Sequence, residues 1–501
     1  MANIQLLYVA NVISRKKKAT QQKLTFLMQV ENLGFNKQVE IVWAGEDGLW
    51  QTLAARFHSR RGGSQELWSA EFSHTLTAKK TLPGTIQFSL RYRVGRIEYW
   101  DNNQGWNYVS EADSGIKVVG DNPVLNIGFA DRLTDAQKSI PITVAINQSL
   151  AAKKVIIYWT ADNWLHSYKT PCFFKKGHWQ KTTGSTATNP NQFGIQIWTG
   201  QIKIRDAFRV QYCISCEGKE TLWDNNGGHN YVISRKPLAV MILNLHCYQE
   251  DNQDYKLSQI AKAIDEREAD IVCLQEVAEH WNDGAGDWNS NSAKIINDRL
   301  RKPYHIYTDW SHLGFDKYRE GVAILSRFPL AELESRYVSQ SHDSYSIHSR
   351  KVVMAQIQLP YLGLINVFSA HLSWIEDGFN EQFNCLSRWA ESKRCDEIKA
   401  TLLCGDFNIA AGSEGYRQVV DLHQYDDQFL AVNSPRVFDK IFKVNDPHWQ
   451  DYLADDYRID FVFMHKTSGL VVKSGAVLFT DEDYGRVSDH CGYLVTFEPN
   501  Q

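Results

Sequence analysis

The sequence predicts a multidomain chain: two all-β sandwich modules, then one α/β domain built on β-sheets flanked by helices. Three observations carry this. A chain of 501 residues exceeds what a single hydrophobic core organises. A tryptophan-centred motif recurs in the N-terminal half, and helical periodicity emerges only after Pro237. The expected domains span residues 1–115, 120–236 and 237–501.

The repeat defines the first two modules. Glu98-Tyr99-Trp100-Asp101-Asn102-Asn103-Gln104-Gly105-Trp106-Asn107-Tyr108-Val109 returns as Thr221-Leu222-Trp223-Asp224-Asn225-Asn226-Gly227-Gly228-His229-Asn230-Tyr231-Val232. Alternating apolar residues precede each copy (Phe88, Leu90, Tyr92, Val94; Phe208, Val210, Tyr212, Ile214), the period of a strand with one buried face. Upstream, Lys37–Trp43 matches Lys153–Trp159. The two offsets, 123 and 116 residues, place a short insertion in the second copy, expected within Gly184–Asn191. Two sandwiches of roughly 110 residues each account for the pattern. The Trp-Asp-Asn-Asn stretch reads as a turn, because Asn, Asp and Gly accept left-handed backbone. Its aromatics and amides also suit a sugar, whose C–H face stacks on rings and whose hydroxyls pair with amides.

Beyond Pro237 strands alternate with a helix. Val240–Leu245 reads as a strand, Leu257, Ile260, Ala261 and Ile264 recur at helical spacing, and Asp270–Val277 reads as a second strand. Further strands are expected at Gly321–Pro329, Leu364–His371, the run ending in Gly405-Asp406-Phe407-Asn408, Tyr457–Phe463 and Val487–His490. Strands outnumber helices, which favours a β-sandwich flanked by helices over a doubly wound sheet.

Composition is that of an ordinary globular protein, 43% hydrophobic and 22% charged. No apolar run reaches the roughly 18 residues of a membrane helix, so no membrane partner is expected. Asn3 and Asn11 interrupt the first apolar residues and a basic cluster follows them, unlike a secretory signal, so a cytoplasmic location is expected. Nine scattered cysteines read as reduced, mostly buried thiols. Cys213 and Cys216 lack the second ligand pair of a zinc site and read as strand residues. The net charge of −4 is unevenly spread: 25 basic against 40 acidic residues from Pro237 on, 29 against 18 before it. A catalytic half at −15 is a poor partner for a polyanion, which disfavours nucleic acid.

Asn244, Glu276, His371, Asp406 with Asn408, Asp460, and Asp489 with His490 sit on six separate segments at the edges of strand-like runs. A buried strand gains nothing from polar end groups unless they are paired or bind something. Acids, amides and imidazoles delivered singly around one point suit metal-assisted phosphoester hydrolysis.

In order and type these segments resemble the endonuclease/exonuclease/phosphatase superfamily, most specifically at Leu274-Gln275-Glu276-Val277, Gly405-Asp406-Phe407-Asn408 and Ser488-Asp489-His490. That resemblance implies a DNase-like four-layer α/β-sandwich and a bound Mg²⁺, or Mn²⁺ in its place. Carried over, Glu276 is the principal metal ligand, with Asn244 and Asp489 assisting. Asp406 orients or deprotonates the attacking water, and Asn408 donates to developing charge. His371 and His490 flank the phosphate, one donating to an oxygen and one assisting proton transfer. Asp460 fixes a histidine tautomer or serves a second metal position. Arg350 or Lys351 supplies the phosphate clamp, His246 has no assigned counterpart, and Arg319 and Glu320 contact substrate or cap their strand.

Both N-terminal copies are similar to family 21 carbohydrate-binding modules, the first also through Val30–Val39. The resemblance implies immunoglobulin-like sandwiches that bind starch-type glucans, with Trp100, Asn103, Trp223 and Asn226 as ligand contacts. The combination resembles bacterial maltose 6′-phosphate phosphatases. It implies a Mg²⁺-dependent phosphomonoesterase releasing phosphate from a phosphorylated α-glucoside, with α-glucan polymer as a further partner. The alternative is a metal-dependent nuclease or phosphodiesterase.

Overall fold

The computed structural model describes residues 3–500 except 17–18, 35, 79, 121, 129–131, 176–191, 247, 283, 423 and 434–457. The Gly184–Asn191 insertion, Phe35 and Tyr457 therefore lie outside the described residues. The chain forms two compact units, Met1–Arg235 and Lys236–Gln501.

The first unit is almost entirely β. In its first sandwich, one sheet runs Gly115–Val118, Ile4–Lys16, Ala19–Glu31, Gln65–Thr75, Arg56–Arg60. The facing sheet runs Gln51–Ala54, Lys37–Ala44, Ile86–Val94, Ile97–Asp101. Phe88, Leu90 and Tyr92 point inward to meet Phe26, Ile41 and Trp43. The second sandwich is built from Val124–Asn126, Ser139–Asn147, Ile195–Lys203, Tyr168–Phe174, Lys154–Thr160, Arg209–Glu217 and Thr221–Asp224. Val210, Tyr212 and Ile214 are buried in it, and Cys213 and Cys216 are free strand residues.

The two sandwiches share a core. Leu7, Tyr8, Leu27, Leu67 and Ile116 of the first join Ile140, Val144, Ile157 and Val210 of the second in one buried cluster. Apolar surface on both is removed from water only when they stay together, which is why they form one unit. Strand Gly115–Val118, paired to Ile4–Lys16, carries the first sandwich past the boundary expected at 115.

The second unit holds two six-strand ladders. One runs His305–Gly314, Tyr318–Ser326, Ile271–Asn282, Leu238–Asn244, Gly492–Pro499, Leu470–Leu478. The other runs Leu330–Tyr337, Lys351–Leu359, Gly363–His371, Ile398–Asp406, Asp460–His465, Tyr425–Asp427. Strand alternation sorts the side chains. Val240 and Ile242 enter the core between the sheets with Val353, Val367 and Leu402. Met241 and Leu243 face outward onto Leu257, Ile260 and Ile264 of helix Gln253–Glu266. On the far side Phe368, Leu403 and Phe463 pack against Phe379, Phe383 and Leu386 of helix Phe379–Ser392. The result is a four-layer α/β-sandwich.

One strand assignment fails. Val487–His490 is not a strand; it is the bend that leads into Gly492–Pro499. The polar residues there halt the extended run, because Ser488 Oγ accepts from the His490 N–H and turns the chain.

Candidate active site

Sheet direction gathers the polar residues. Leu238–Asn244 runs parallel to Ile271–Asn282, and Gly363–His371 runs parallel to Ile398–Asp406. Asn244, Glu276, His371 and Asp406 thus lie toward one end of the sandwich. Asp460–His465 and Gly492–Pro499 run antiparallel to these neighbours, so their beginnings arrive at the same end. Asp406 stands opposite Asp460 in register. Groups spread over some 250 positions meet because strands finishing and strands starting share an edge.

Asn244 joins the two halves of the site. Its Nδ2 donates to Glu276 Oε1 at 2.9 Å and to Asp406 Oδ2 at 3.1 Å, and its Oδ1 accepts from the His246 N–H at 3.0 Å. Glu276 sits on a bulge of its strand with a left-handed φ of 49°, which turns its carboxylate into the site. Desolvation, with Glu320 and Asp489 nearby, pushes its carboxyl up to about 8. A buried carboxyl whose ionisation neighbouring acids oppose fits a divalent cation held through oxygen. Among the described residues, His246, Glu250 and Asp489, and Asp406, Asp460 and His490, each bring ligand atoms within 4.8 Å of one another.

The Gly405-Asp406-Phe407-Asn408 segment is shaped by close packing. Gly405 has φ 133°, and a Cβ there would meet the Ala370 carbonyl oxygen at 2.1 Å, so only glycine fits. Phe407 is fully buried against Phe383, Phe461 and Phe463 and anchors the loop. Asp406 accepts from the Asn408 N–H at 2.9 Å. Burial and Asp460 push its carboxyl up to about 7, the range of a base working near neutrality. Asn408 Nδ2 donates to the Leu372 carbonyl at 2.7 Å, which fixes the side chain and leaves its second amide hydrogen to act.

The two histidines are driven in opposite directions. Burial works against a charged His490, yet Asp460, Asp489 and Asp406 outweigh it and hold the imidazole well above its ordinary range. His490 Nδ1 lies 2.8 Å from Asp460 Oδ2, and its Nε2 is 3.8 Å from Asp406 Oδ2. His371 is pushed far down by burial and by Arg350, whose Nη1 is 3.1 Å from His371 Nδ1. The same Arg350 Nη1 is 3.4 Å from His371 Nε2, which in turn lies 3.8 Å from Asp406 Oδ2. Lys351 Nζ pairs with Asp309 at 3.0 Å, whereas Arg350 reaches His371.

Glu320, His312 and His246 also enter. Glu320 is buried, 3.6 Å from His312 Nε2 and 3.9 Å from His371 Nδ1. His246 Nδ1 is 2.6 Å from Glu250 and its Nε2 is 3.8 Å from Asp489, a second acid–imidazole cluster beside the first. Arg319 turns away, stacked over Trp281 and Trp310 at 4.5 and 4.9 Å.

The carbohydrate-type turns differ between sandwiches. Asp101 and Asp224 are braces: each accepts a tyrosine hydroxyl (Tyr108, Tyr231) and a strand N–H (Leu6, Asn126). Trp100 and Trp223 are 46% and 52% exposed, so neither is a core anchor. Asn103 is exposed, and its Nδ2 donates to the Asn107 carbonyl within the turn. Asn226 is not available as a ligand contact. It is buried, its Nδ2 donating to the carbonyls of Asn230 and Arg60 at 2.9 Å each, because the shared core seats residues 60–63 of the first sandwich on this turn.

No helix is long and apolar enough to cross a membrane among the described residues. Comparison with known proteins matches residues 241–490 to the Endonuclease/Exonuclease/phosphatase family and residues 4–111 and 129–234 to the family 21 carbohydrate/starch-binding module. The chain is 29% identical over 177 residues to the uncharacterized protein YbhP of Escherichia coli K12, covering 34% of this chain and 66% of that protein. The match thus spans just under two thirds of that relative. Among solved structures, an endonuclease/exonuclease/phosphatase family protein from Leptotrichia buccalis aligns at TM-score 0.45 and 24% identity, covering 52% of this chain and 99% of its own. A mannosyl-6-phosphatase of Bacteroides thetaiotaomicron aligns at TM-score 0.40 and 17% identity over 52% and 99%. The chain therefore carries two family 21 carbohydrate-binding modules followed by an endonuclease/exonuclease/phosphatase family domain.

Proposed function

We propose that the second unit is a Mg²⁺-dependent phosphomonoesterase acting on phosphorylated malto-oligosaccharides, with maltose 6′-phosphate as the first substrate to test. One observation carries the reading: family 21 carbohydrate/starch-binding modules share a chain with a phosphoesterase-type site. Phosphoester chemistry beside α-glucan recognition points to a phosphate carried on an α-glucoside.

Asn244, Glu276 and Asp489 would hold the cation, which when bound offsets charge on the phosphate. Asp406, with its raised carboxyl, accepts the proton of the attacking water. His490, kept cationic and oriented by Asp460, gives its proton to the sugar oxygen as that oxygen's bond to phosphorus breaks. His371, kept neutral by burial and by Arg350, gives a hydrogen bond from its ring to another oxygen. Asn408 supplies an amide hydrogen to the charge that develops. The cytoplasm is the compartment that fits an imported sugar phosphate.

A phosphate-release screen over sugar phosphates and nucleotides, with and without Mg²⁺, tests the reading. Metal-dependent release greatest on maltose 6′-phosphate supports it. Preference for nucleotides or nicking of plasmid DNA would favour the nuclease reading, to which the basic first half at +11 gives its one support.

A further inference from the structure

Three aromatic rings stand beside the candidate active site without a part in the chemistry above. Tyr248 and His280 stack at 5.1 Å, Tyr248 and Tyr318 at 5.2 Å, and His280 and Tyr318 lie 5.4 Å apart. His280 is exposed and the two tyrosines are half-buried. The cluster is fixed in place: the Tyr248 hydroxyl donates to the Ser290 carbonyl, and the His280 N–H donates to Ser290 Oγ at 2.8 Å.

Register places the rings on the face of the sheet that bears the site. His280 stands opposite Tyr318, and Ala278 opposite Glu320, on antiparallel strands whose opposed side chains share a face. Tyr318 and Glu320 are two residues apart, about 7 Å along the strand and on the same side. Glu320 approaches His371 and acts on Glu276. Tyr248 is two residues past His246, which approaches Asp489. The platform therefore lies about 7 Å along the strand from Glu320, on the face that bears the site.

We infer that Tyr248, His280 and Tyr318 form the platform for the second glucosyl ring of the substrate, the one that does not carry the phosphate. This rests on the sugar-phosphatase reading above. The C–H face of a pyranose carries slight positive charge and meets the negative face of an aromatic ring. A nucleobase also stacks on such rings, but an excess of 15 acidic charges in this half disfavours a polyanion.

The test uses the full chain with Mg²⁺ and compares KM and kcat on maltose 6′-phosphate and glucose 6-phosphate. His280→Ala and Tyr318→Ala are expected to raise KM for maltose 6′-phosphate about tenfold, with a smaller change in kcat. Selectivity over glucose 6-phosphate falls by the same factor, and Tyr318→Phe restores it. Unchanged selectivity in an active enzyme overturns the platform alone. Wild-type protein that releases no phosphate from maltose 6′-phosphate overturns the parent reading and the platform together. Variants that instead lose cleavage of a single-stranded oligonucleotide assign the rings to a base and overturn the sugar platform.

Discussion

His490 Nδ1 and Asp460 Oδ2 lie 2.8 Å apart in a buried pair, with Asp406 on the other side of the imidazole. An acid held against one ring nitrogen fixes the tautomer and leaves the other nitrogen's proton to face the reaction. Asp460→Asn removes the charge and retains the shape. Turnover is expected to fall roughly 10²–10⁴-fold with little change in KM. The variant's imidazolium loses its proton more easily, so the alkaline limb of the pH–rate profile moves to lower pH. An unchanged alkaline limb would place His490 outside the proton inventory.

Asp406 leads to a prediction about the acidic limb. Burial and Asp460 raise its carboxyl to about 7, so its base form is gained as pH rises through that region. The acidic limb of kcat/KM is expected well above the ordinary aspartate value of about 3.9. Asp406→Asn should remove most activity while substrate still binds. A limb near pH 4, or an active Asp406→Asn, would assign the base elsewhere.

Metal removal couples to stability through Glu276. Its folded-state carboxyl sits near 8, above its unfolded value, so metal-free protein holds this proton more tightly when folded. Stability from this group is present below the unfolded value and is lost as pH rises toward 8. Mg²⁺ binds the ionised form, so it should raise Tm more at pH 8 than at pH 6. Calorimetry after chelation checks this, and Glu276→Gln should abolish both the pH effect and the Mg²⁺ effect. Equal shifts at the two pH values would contradict the assignment of Glu276 as a ligand.

The two copies of one motif predict different costs. Asn226 gives its amide to Arg60 and Asn230 inside the first unit, whereas Asn103 bonds only within its exposed turn. Asn226→Ala leaves buried carbonyls unpaired and should cost about 1–3 kcal/mol in denaturant unfolding. Asn103→Ala should cost less than about 1 kcal/mol. Equal costs would mean that the second turn does not brace the two sandwiches.

The sequence exposed what is local and periodic. Strand alternation at Phe88–Tyr92 is visible because a half-buried strand has period two, and Val240–Leu243 is visible as an apolar run buried on both faces. The Gly405–Asn408 segment is legible because its glycine, its phenylalanine anchor and its acid each serve one local need. His312 was not placed by sequence, and Glu320 only as a substrate contact or strand cap, since their contacts arise from pairing across a hairpin and from His371 on the other sheet. His246 carries no distinguishing spacing; only the bend after Asn244 brings it to Asp489. Asn226 was misjudged for the same reason, as its burial depends on a loop 166 positions earlier.

Phosphate release from maltose 6′-phosphate by purified full-length protein, with Mg²⁺ and after chelation, tests the central claim most directly. Metal-dependent release that exceeds release from glucose 6-phosphate and collapses in Asp406→Asn is the predicted result. No release above glucose 6-phosphate, or release unaffected by chelation and by Asp406→Asn, would contradict it.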